Sequence, residues 1–334
     1  LSGPISDDIF ENCQSLRFIS LAGNLLEVAF PTTLSRCTNL NHQNMSNNHF
    51  SGDPNFKEMF QSLTRLRTLD LSNNELSGQL PFGISAMHNL KELLLQGNHF
   101  SGSIPTDIGF CPHLSTLDFS HNLFTGALPE SLQRLNALNF FSLSNNVLDG
   151  DFPQWINKLS SLEYLDFSGN NLQGSLPMSI GEMNALEFLD LSNNGLTGNI
   201  PTSMALCGSL SVIQLSGNAL NGSIPEGLFD MELNELDLSR NELTGSIPSG
   251  SSELFESLHV LDLSGNNLTG GLPAEMGLYS KLRYLNLSWN SFQSRLPPEI
   301  GYYQNLTVLD LRNSALTGSI PEDICDSGSI RILQ

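Results

Sequence analysis

One sentence, written thirteen times, limits what this chain can fold into. Aligned on the Asn that follows "LxLSx", the copies place that residue at Asn24, Asn48, Asn74, Asn98, Asn122, Asn146, Asn170, Asn194, Asn218, Asn241, Asn266 and Asn290, and the thirteenth copy has Ser314 there. The spacings are 24, 26, six of 24, then 23, 25, 24 and 24. Self-similarity at such a period marks a repeat architecture. No linker or shift of composition interrupts the series, so residues 1–334 read as one domain.

Each unit reads LxxLxLSxNxLxGxIPxxIxxLxx, and its letters have physical meanings. Side chains alternate along a strand, so in "TLDLS" Leu69 and Leu71 point inward while Thr68, Asp70 and Ser72 point out. The Asn falls where the strand must turn, and its short amide satisfies turn backbone groups and tolerates unusual dihedrals. Gly and Pro bend the chain again, and "xxIxxLxx" returns across the back in short 3₁₀ or helical turns. A single unit cannot bury its leucines, whereas stacked units can.

The pattern resembles the leucine-rich repeat, and "LxGxIP" at this period is similar to its plant extracellular subtype. The resemblance covers essentially the whole chain. It implies an α/β solenoid of about thirteen repeats, a right-handed superhelix. A parallel β-sheet would line the concave face, short 3₁₀ or helical turns the convex one, and an extra strand at "LxGxIP" one flank. "SLRFISLAGN", "SNNHFSGDPNF" and "LTGSIPEDICDSGSI" resemble the ectodomains of plant receptor-like kinases, nearest to the inflorescence and root apices receptor kinase group. That resemblance implies a secreted peptide or protein ligand, a co-receptor ectodomain, N-glycans, and an extracellular position at the plasma membrane. "LSGPI" and "IRILQ" both read as cut from something longer, so caps, a membrane helix and a kinase domain are expected outside this chain.

Several copies depart from the pattern. Gln43 takes an inward strand position and Asn55 stands where Pro is expected, in a unit two residues longer than usual. Irregularity is expected over residues 43–62. Val28 and Ser294 replace the Gly of "LxG", and Ser314 predicts a weaker turn.

Net charge is −20, which argues against nucleic acid and against an anionic membrane surface. No apolar run is long enough to cross a bilayer. Of five cysteines, Cys13, Cys37, Cys111 and Cys207 sit eleven residues before their ladder position, a column shared with Leu63, Met87, Leu135, Leu159, Met183, Phe255 and Tyr279. Cys there behaves as a small apolar core residue. The leading expectation is free, buried thiols, and the rival is a Cys13–Cys37 bridge between adjacent units. Cys325 completes the set. Acceptor triplets for N-glycans occur at Asn44, Asn221, Asn267, Asn286 and Asn305. Asn44 and Asn286 take the central outward strand position, where a sugar would block the face locally and leave the middle of the stack open.

A column of acids, Asp70, Asp118, Asp166, Asp190, Asp237, Asp262 and Asp310, is the one constellation that suggests catalysis or a cation. It is also the repeat's own "LDLS", so these acids are expected to be solvated. The seven His show no triad or ligand spacing, and neither a cofactor nor a metal nor an enzymatic activity is expected of this chain.

Function is sought where outward positions break the pattern. Six residues before the ladder site, Phe140, Tyr164 and Phe188 occur in consecutive units, followed by Val212 and flanked by Asp166, Asp190 and Gln214. Exposed contiguous apolar surface marks binding sites, and aromatics are favoured anchors. The bland alternative is that aromatics there only shield the strands. Tyr284, Trp289 and Arg312 form a second candidate surface. Some receptors of the resembled family hold a ligand's terminal carboxylate with Arg-x-Arg on one strand; no unit here has that pair in place, and Arg65 and Arg67 come one turn early. The acidic, aromatic face suits a neutral or basic segment better. The leading reading is an extracellular recognition domain; the alternatives are a secreted inhibitor of microbial wall-degrading enzymes, or a scaffold without a small ligand.

Overall fold

Each "LxL" becomes a three-residue strand whose middle Leu points inward. The computed structural model describes residues 1–54, 56–249 and 256–334. They form two compact units, Leu1–Asn171 and Leu172–Gln334. In the first, the strands Phe18–Ser20, His42–Asn44, Thr68–Asp70, Glu92–Leu94, Thr116–Asp118, Phe140–Ser142 and Tyr164–Asp166 pair in parallel, each in register with the next. In the second, Phe188–Asp190, Val212–Gln214, Glu235–Asp237, Val260–Asp262, Tyr284–Asn286, Val308–Asp310 and Ile332–Leu333 do the same.

The flanking strands predicted at "LxG" are present. The first unit has a lateral parallel sheet of seven, from Ser2–Gly3 to Val147–Leu148. The second has two pairs, Thr197–Asn199 with Ala219–Asn221 and Thr244–Gly245 with Asn267–Leu268. The return segments are short 3₁₀ helices, many entered from the Pro of "IP", as at Pro105, Pro129, Pro177 and Pro201.

Inward leucines such as Leu69, Leu117, Leu165, Leu189, Leu236 and Leu285 are at most 1% exposed. Each contributes about 1.5–3 kcal/mol through burial. Phenylalanines fill the first unit further, with Phe119 stacked on Phe124 at 5.1 Å and Phe141 edge-on to Phe167 at 4.9 Å.

The ladder Asn is a connector between units. The Asn122 amide donates to the carbonyls of Leu95, Phe119 and Ser120 at 3.0–3.2 Å, and its Oδ1 accepts the Phe100 N–H at 3.0 Å. Asn48, Asn74, Asn98, Asn146, Asn241, Asn266 and Asn290 are buried in the same arrangement. The unusual dihedral lies one residue earlier than the sequence suggested. Gly23, Asn47, Asn73, Gly97, His121, Asn145, Gly169, Asn193, Gly217, Arg240, Gly265, Trp289 and Asn313 all have φ between 50° and 67°. That left-handed region favours Gly and Asn, which explains most of the column. At the thirteenth copy Ser314 cannot reach as Asn does; the Phe292 N–H goes to its backbone carbonyl at 3.1 Å.

The departures have structural outcomes. Gln43 is fully buried, with neither amide atom hydrogen-bonded, and Phe56–Ser62 is an α-helix instead of a 3₁₀ turn. Asn55 and Phe255 lie outside the described residues. Val28 keeps the φ of the glycines it replaces, 77°, a strained state for a β-branched residue. Ser294 does not, and the positive φ moves to Gln293.

One expectation is overturned. Cys13 and Cys37 are joined by a disulfide, with Cα atoms 5.0 Å apart. Stacking places the same column of adjacent units within bridging distance, so the column holds a covalent pair as readily as an apolar row. Cys111 and Cys207 are free and buried, as expected, and Cys325 is exposed. Burial, with Asp107 adding to it, pushes the Cys111 thiol up to about 12, and burial pushes Cys207 to about 11.

Two outcomes are expected. Asn122→Ala leaves the buried Phe100 N–H unpaired, while the Leu95, Phe119 and Ser120 carbonyls keep the bonds donated by Asn98, Asn146 and the Gly97 N–H. At about 1–3 kcal/mol for an orphaned buried group, urea unfolding should show a loss of that size. Thiol titration of the native chain should detect Cys325 alone; denaturant should add Cys111 and Cys207, and reductant Cys13 and Cys37.

Candidate functional site: the outward face of the strand sheets

The aromatic column divides between the units. In the first, Phe140 and Tyr164 are register partners, and their rings stack at 4.4 Å with 7° between planes. Both are half-buried, because each ring covers part of the other. In the second, Phe188 pairs with Val212, which pairs with Glu235. Phe188 and Val212 are also half-buried, and Gln214 donates to Glu235 Oε1 at 2.9 Å.

The expectation of solvated acids is corrected. Asp118 Oδ1 accepts the Ser120 N–H at 3.0 Å and its hydroxyl at 2.7 Å, and Asp70, Asp166 and Asp262 hold Ser72, Ser168 and Ser264 in the same way. Asp190 and Asp237 accept the backbone N–H of Ser192 and Ser239. The Asp of "LDLS" thus ties the strand end to the following turn, as a short polar side chain does locally. Asp70 and Asp310 are buried.

Asn can replace Asp in this bracket. Asn44 Oδ1 accepts the N–H and hydroxyl of Ser46, and Asn286 Oδ1 those of Ser288. These two acceptor triplets are the bracket itself. Asn221, Asn267 and Asn305 are exposed.

What the second carboxylate oxygen meets differs from repeat to repeat. At Asp262 it accepts the Tyr284 hydroxyl at 3.2 Å and the Asn286 amide at 3.0 Å. At Asp310 it accepts the Arg312 Nη2 at 2.6 Å, while Arg312 Nε lies 3.0 Å from Oδ1. Arg312 occupies the position that holds Ser in most units, and it completes the pair that Ser makes elsewhere. These bonds, Arg312 first, hold the Asp310 carboxyl below the usual carboxylate range. At Asp118 and Asp166 no described residue reaches the second oxygen. Burial pushes the Asp118 carboxyl up, against the pull of Ser120; negative Asp166 adds to the rise and His121 opposes it.

Of the second candidate surface, Tyr284 joins Asp262 and Asn286, Arg312 is committed to Asp310, and Trp289 is 62% exposed at φ 56°. Sequence reasoning missed the Asp–Ser bracket and the state of each second oxygen. The signal for the bracket was the Ser two residues after Asp in "LDLS".

The pH consequences of Asp118 and Asp310 are opposite in sign. The lowered Asp310 contributes stability above the ordinary carboxylate range, lost as pH falls through its folded value. The raised Asp118 costs stability at neutral pH, relieved as pH falls through its own. Asp118→Asn, which keeps the bracket, should raise stability at pH 7, and the gain should shrink toward zero on acidification to the carboxylate range in denaturant titrations.

Two family profiles, both described as leucine rich repeat, match this chain, one over residues 56–100, 141–196 and 231–292 and the other over 113–135 and 305–327. Receptor-like protein 54 of Arabidopsis thaliana is 36% identical over 70 residues, 21% of this chain and 9% of that protein. Receptor-like protein 36 of the same plant is 37% identical over 87 residues, 26% of this chain and 12% of that protein. Among solved structures, the plant peptide hormone receptor RGFR1 in complex with RGF2 superposes with a TM-score of 0.90 at 33% identity, over 100% of this chain and 57% of that one. A TDR receptor follows with 0.86 at 28% identity, over 100% and 66%. The Arabidopsis receptor kinase HAESA, in complex with the peptide hormone IDA and the co-receptor SERK1, gives 0.75 at 28%, over 100% and 64%. This chain therefore spans about a tenth of the curated relatives it matches and just over half of the RGFR1 chain. The repeats, the strand register and both profiles agree: the chain belongs to the leucine-rich-repeat proteins and is built like plant receptor ectodomains.

Proposed function

We propose that this chain is the extracellular recognition domain of a plant receptor, and that it binds a secreted peptide or a partner ectodomain on the outward face of its strand sheets. The observation that carries this reading is the likeness to RGFR1, a peptide hormone receptor, over the whole of this chain. Phe140 and Tyr164 are the anchors, with Phe188 and Val212 serving the second unit and Asp166, Asp190 and Gln214 setting polarity. A stacked, half-buried ring pair offers large contact area at little further entropy loss on binding. Tyr284, Trp289 and Arg312 form a second contact surface.

The finer assignments belong to the same proposal. The receptor is of the "LxGxIP" subtype, nearest to the inflorescence and root apices group, and signalling follows when receptor pairing brings together kinase domains outside this chain. N-glycans occupy the exposed Asn221, Asn267 and Asn305.

The test is a binding screen of secreted plant peptides and ectodomains on the glycosylated chain. Ala at both Phe140 and Tyr164 should weaken the selected ligand by at least tenfold, within the range of aromatic hot spots. Unchanged affinity would remove the ring pair from the site.

A further inference from the structure

The recognition reading leaves the chemistry of the bound segment open, and the strands Thr116–Asp118, Phe140–Ser142 and Tyr164–Asp166 narrow it. Asp118, Ser142 and Asp166 are successive register partners, so two carboxylates flank a residue too short to reach either. Ser142 turns instead toward the Ser144 hydroxyl, at 3.4 Å. Each flanking Asp spends Oδ1 on its own Ser. The second oxygen of each accepts no hydrogen bond from the described residues. Phe140 lies two residues before Ser142 on the same strand, so the stacked ring pair borders this notch.

Elsewhere the chain shows what that second oxygen accepts. At Asp262 it takes a hydroxyl and an amide, and at Asp310 a guanidinium. At Asp118 and Asp166, both part-buried, that oxygen is left to solvent or to a partner's donor.

Geometry selects among cations. Neighbouring strands lie about 4.8 Å apart, so Asp118 and Asp166 stand roughly 10 Å apart at the backbone. A single metal ion draws several oxygens to about 2.3–2.6 Å, and among the described residues no group of three or more His, Cys, Asp or Glu stands where it could hold one. An ammonium bridging two oxygens reaches across under 6 Å, whereas a guanidinium bonded at both edges spans roughly 8 Å. Guanidinium groups also stack on aromatic faces.

Resting on the recognition reading, we propose that this notch is an arginine subsite: an extended partner peptide lays an arginine stem along the Phe140–Tyr164 rings and sets its guanidinium over Ser142, between Asp118 and Asp166. The affinity comes from two otherwise unpaired carboxylate oxygens, and the selectivity from their separation.

The test uses the whole glycosylated chain and three labelled, blocked heptapeptides of Gly and Ser with a central arginine, citrulline or lysine, read by fluorescence polarisation. Asp118→Asn with Asp166→Asn preserves the fold, because Asn44 and Asn286 make the same bracket. The arginine peptide should bind at least tenfold more tightly than the citrulline peptide, and more tightly than the lysine peptide. The double Asn variant should bring it down to the citrulline level. Glu130→Gln with Glu226→Gln, two exposed acids on the return helices, should leave it unchanged. Equal binding of arginine and citrulline overturns the subsite, as does equal binding of lysine, or an equal loss in both acid-to-amide variants. A screened ligand that needs the ring pair but ignores the Asp pair leaves recognition standing and removes the arginine. A ligand indifferent to both removes recognition at this face as well.

Discussion

Everything in this fold depends on one amide per repeat. A parallel stack of three-residue strands gains hydrogen bonds along the strands and into the turns, yet in each buried turn some carbonyls, and an N–H of the preceding repeat, find no backbone partner. The Asn side chain supplies both kinds of group at once. It donates to carbonyls of its own turn and of the preceding repeat, and accepts an N–H of that repeat, as Asn122 does with Leu95 and Phe100. Because the bonds to the preceding repeat cross between units, one repeat's turn is completed in part by its neighbour. Cohesion is therefore local and cumulative, in keeping with the nearest-neighbour energetics of repeat proteins.

The outward face inherits its chemistry from the same economy. Wherever Asp ends the strand, one oxygen of its carboxylate is committed to the next turn. What remains is one oxygen per repeat, fixed in position by a bond that has nothing to do with ligands. Variation two residues on, or in the adjacent repeat, decides whether that oxygen is satisfied. Arg312 and Tyr284 satisfy it in the second unit. Ser120, Ser142 and Ser168 do not in the first. A row of structural acids thereby becomes a row of addressable acceptors.

How much of this could be read beforehand depends on range. The strands, the 3₁₀ turns and the core leucines were legible because each follows from spacing within one unit, and the flank strands were expected only from the family resemblance. The pairing of Phe140 with Tyr164 was legible too, since units in register bring equal columns together. The Cys13–Cys37 bond was visible only as a rival, because the column that made those cysteines neighbours is otherwise apolar. The Asp–Ser bracket hid in plain letters: a motif shared by many repeats looks like template, and its hydrogen bonds depend on a side-chain rotamer that spacing does not specify. The left-handed residue was displaced by one position, since both Asn and its predecessor are turn formers by composition and only the backbone path separates them.

The disulfide has a mechanical consequence. Cys13 and Cys37 stand 24 residues apart and close one full period of the stack into a loop. A chain of nearest-neighbour repeats peels under tension one unit at a time, and each released unit of that length lengthens the tether by roughly 80 Å. The bridged unit releases no such slack while its bond holds. A pulling force would meet a solenoid that extends in steps everywhere except there, where the molecule behaves as a clasp on its own thread.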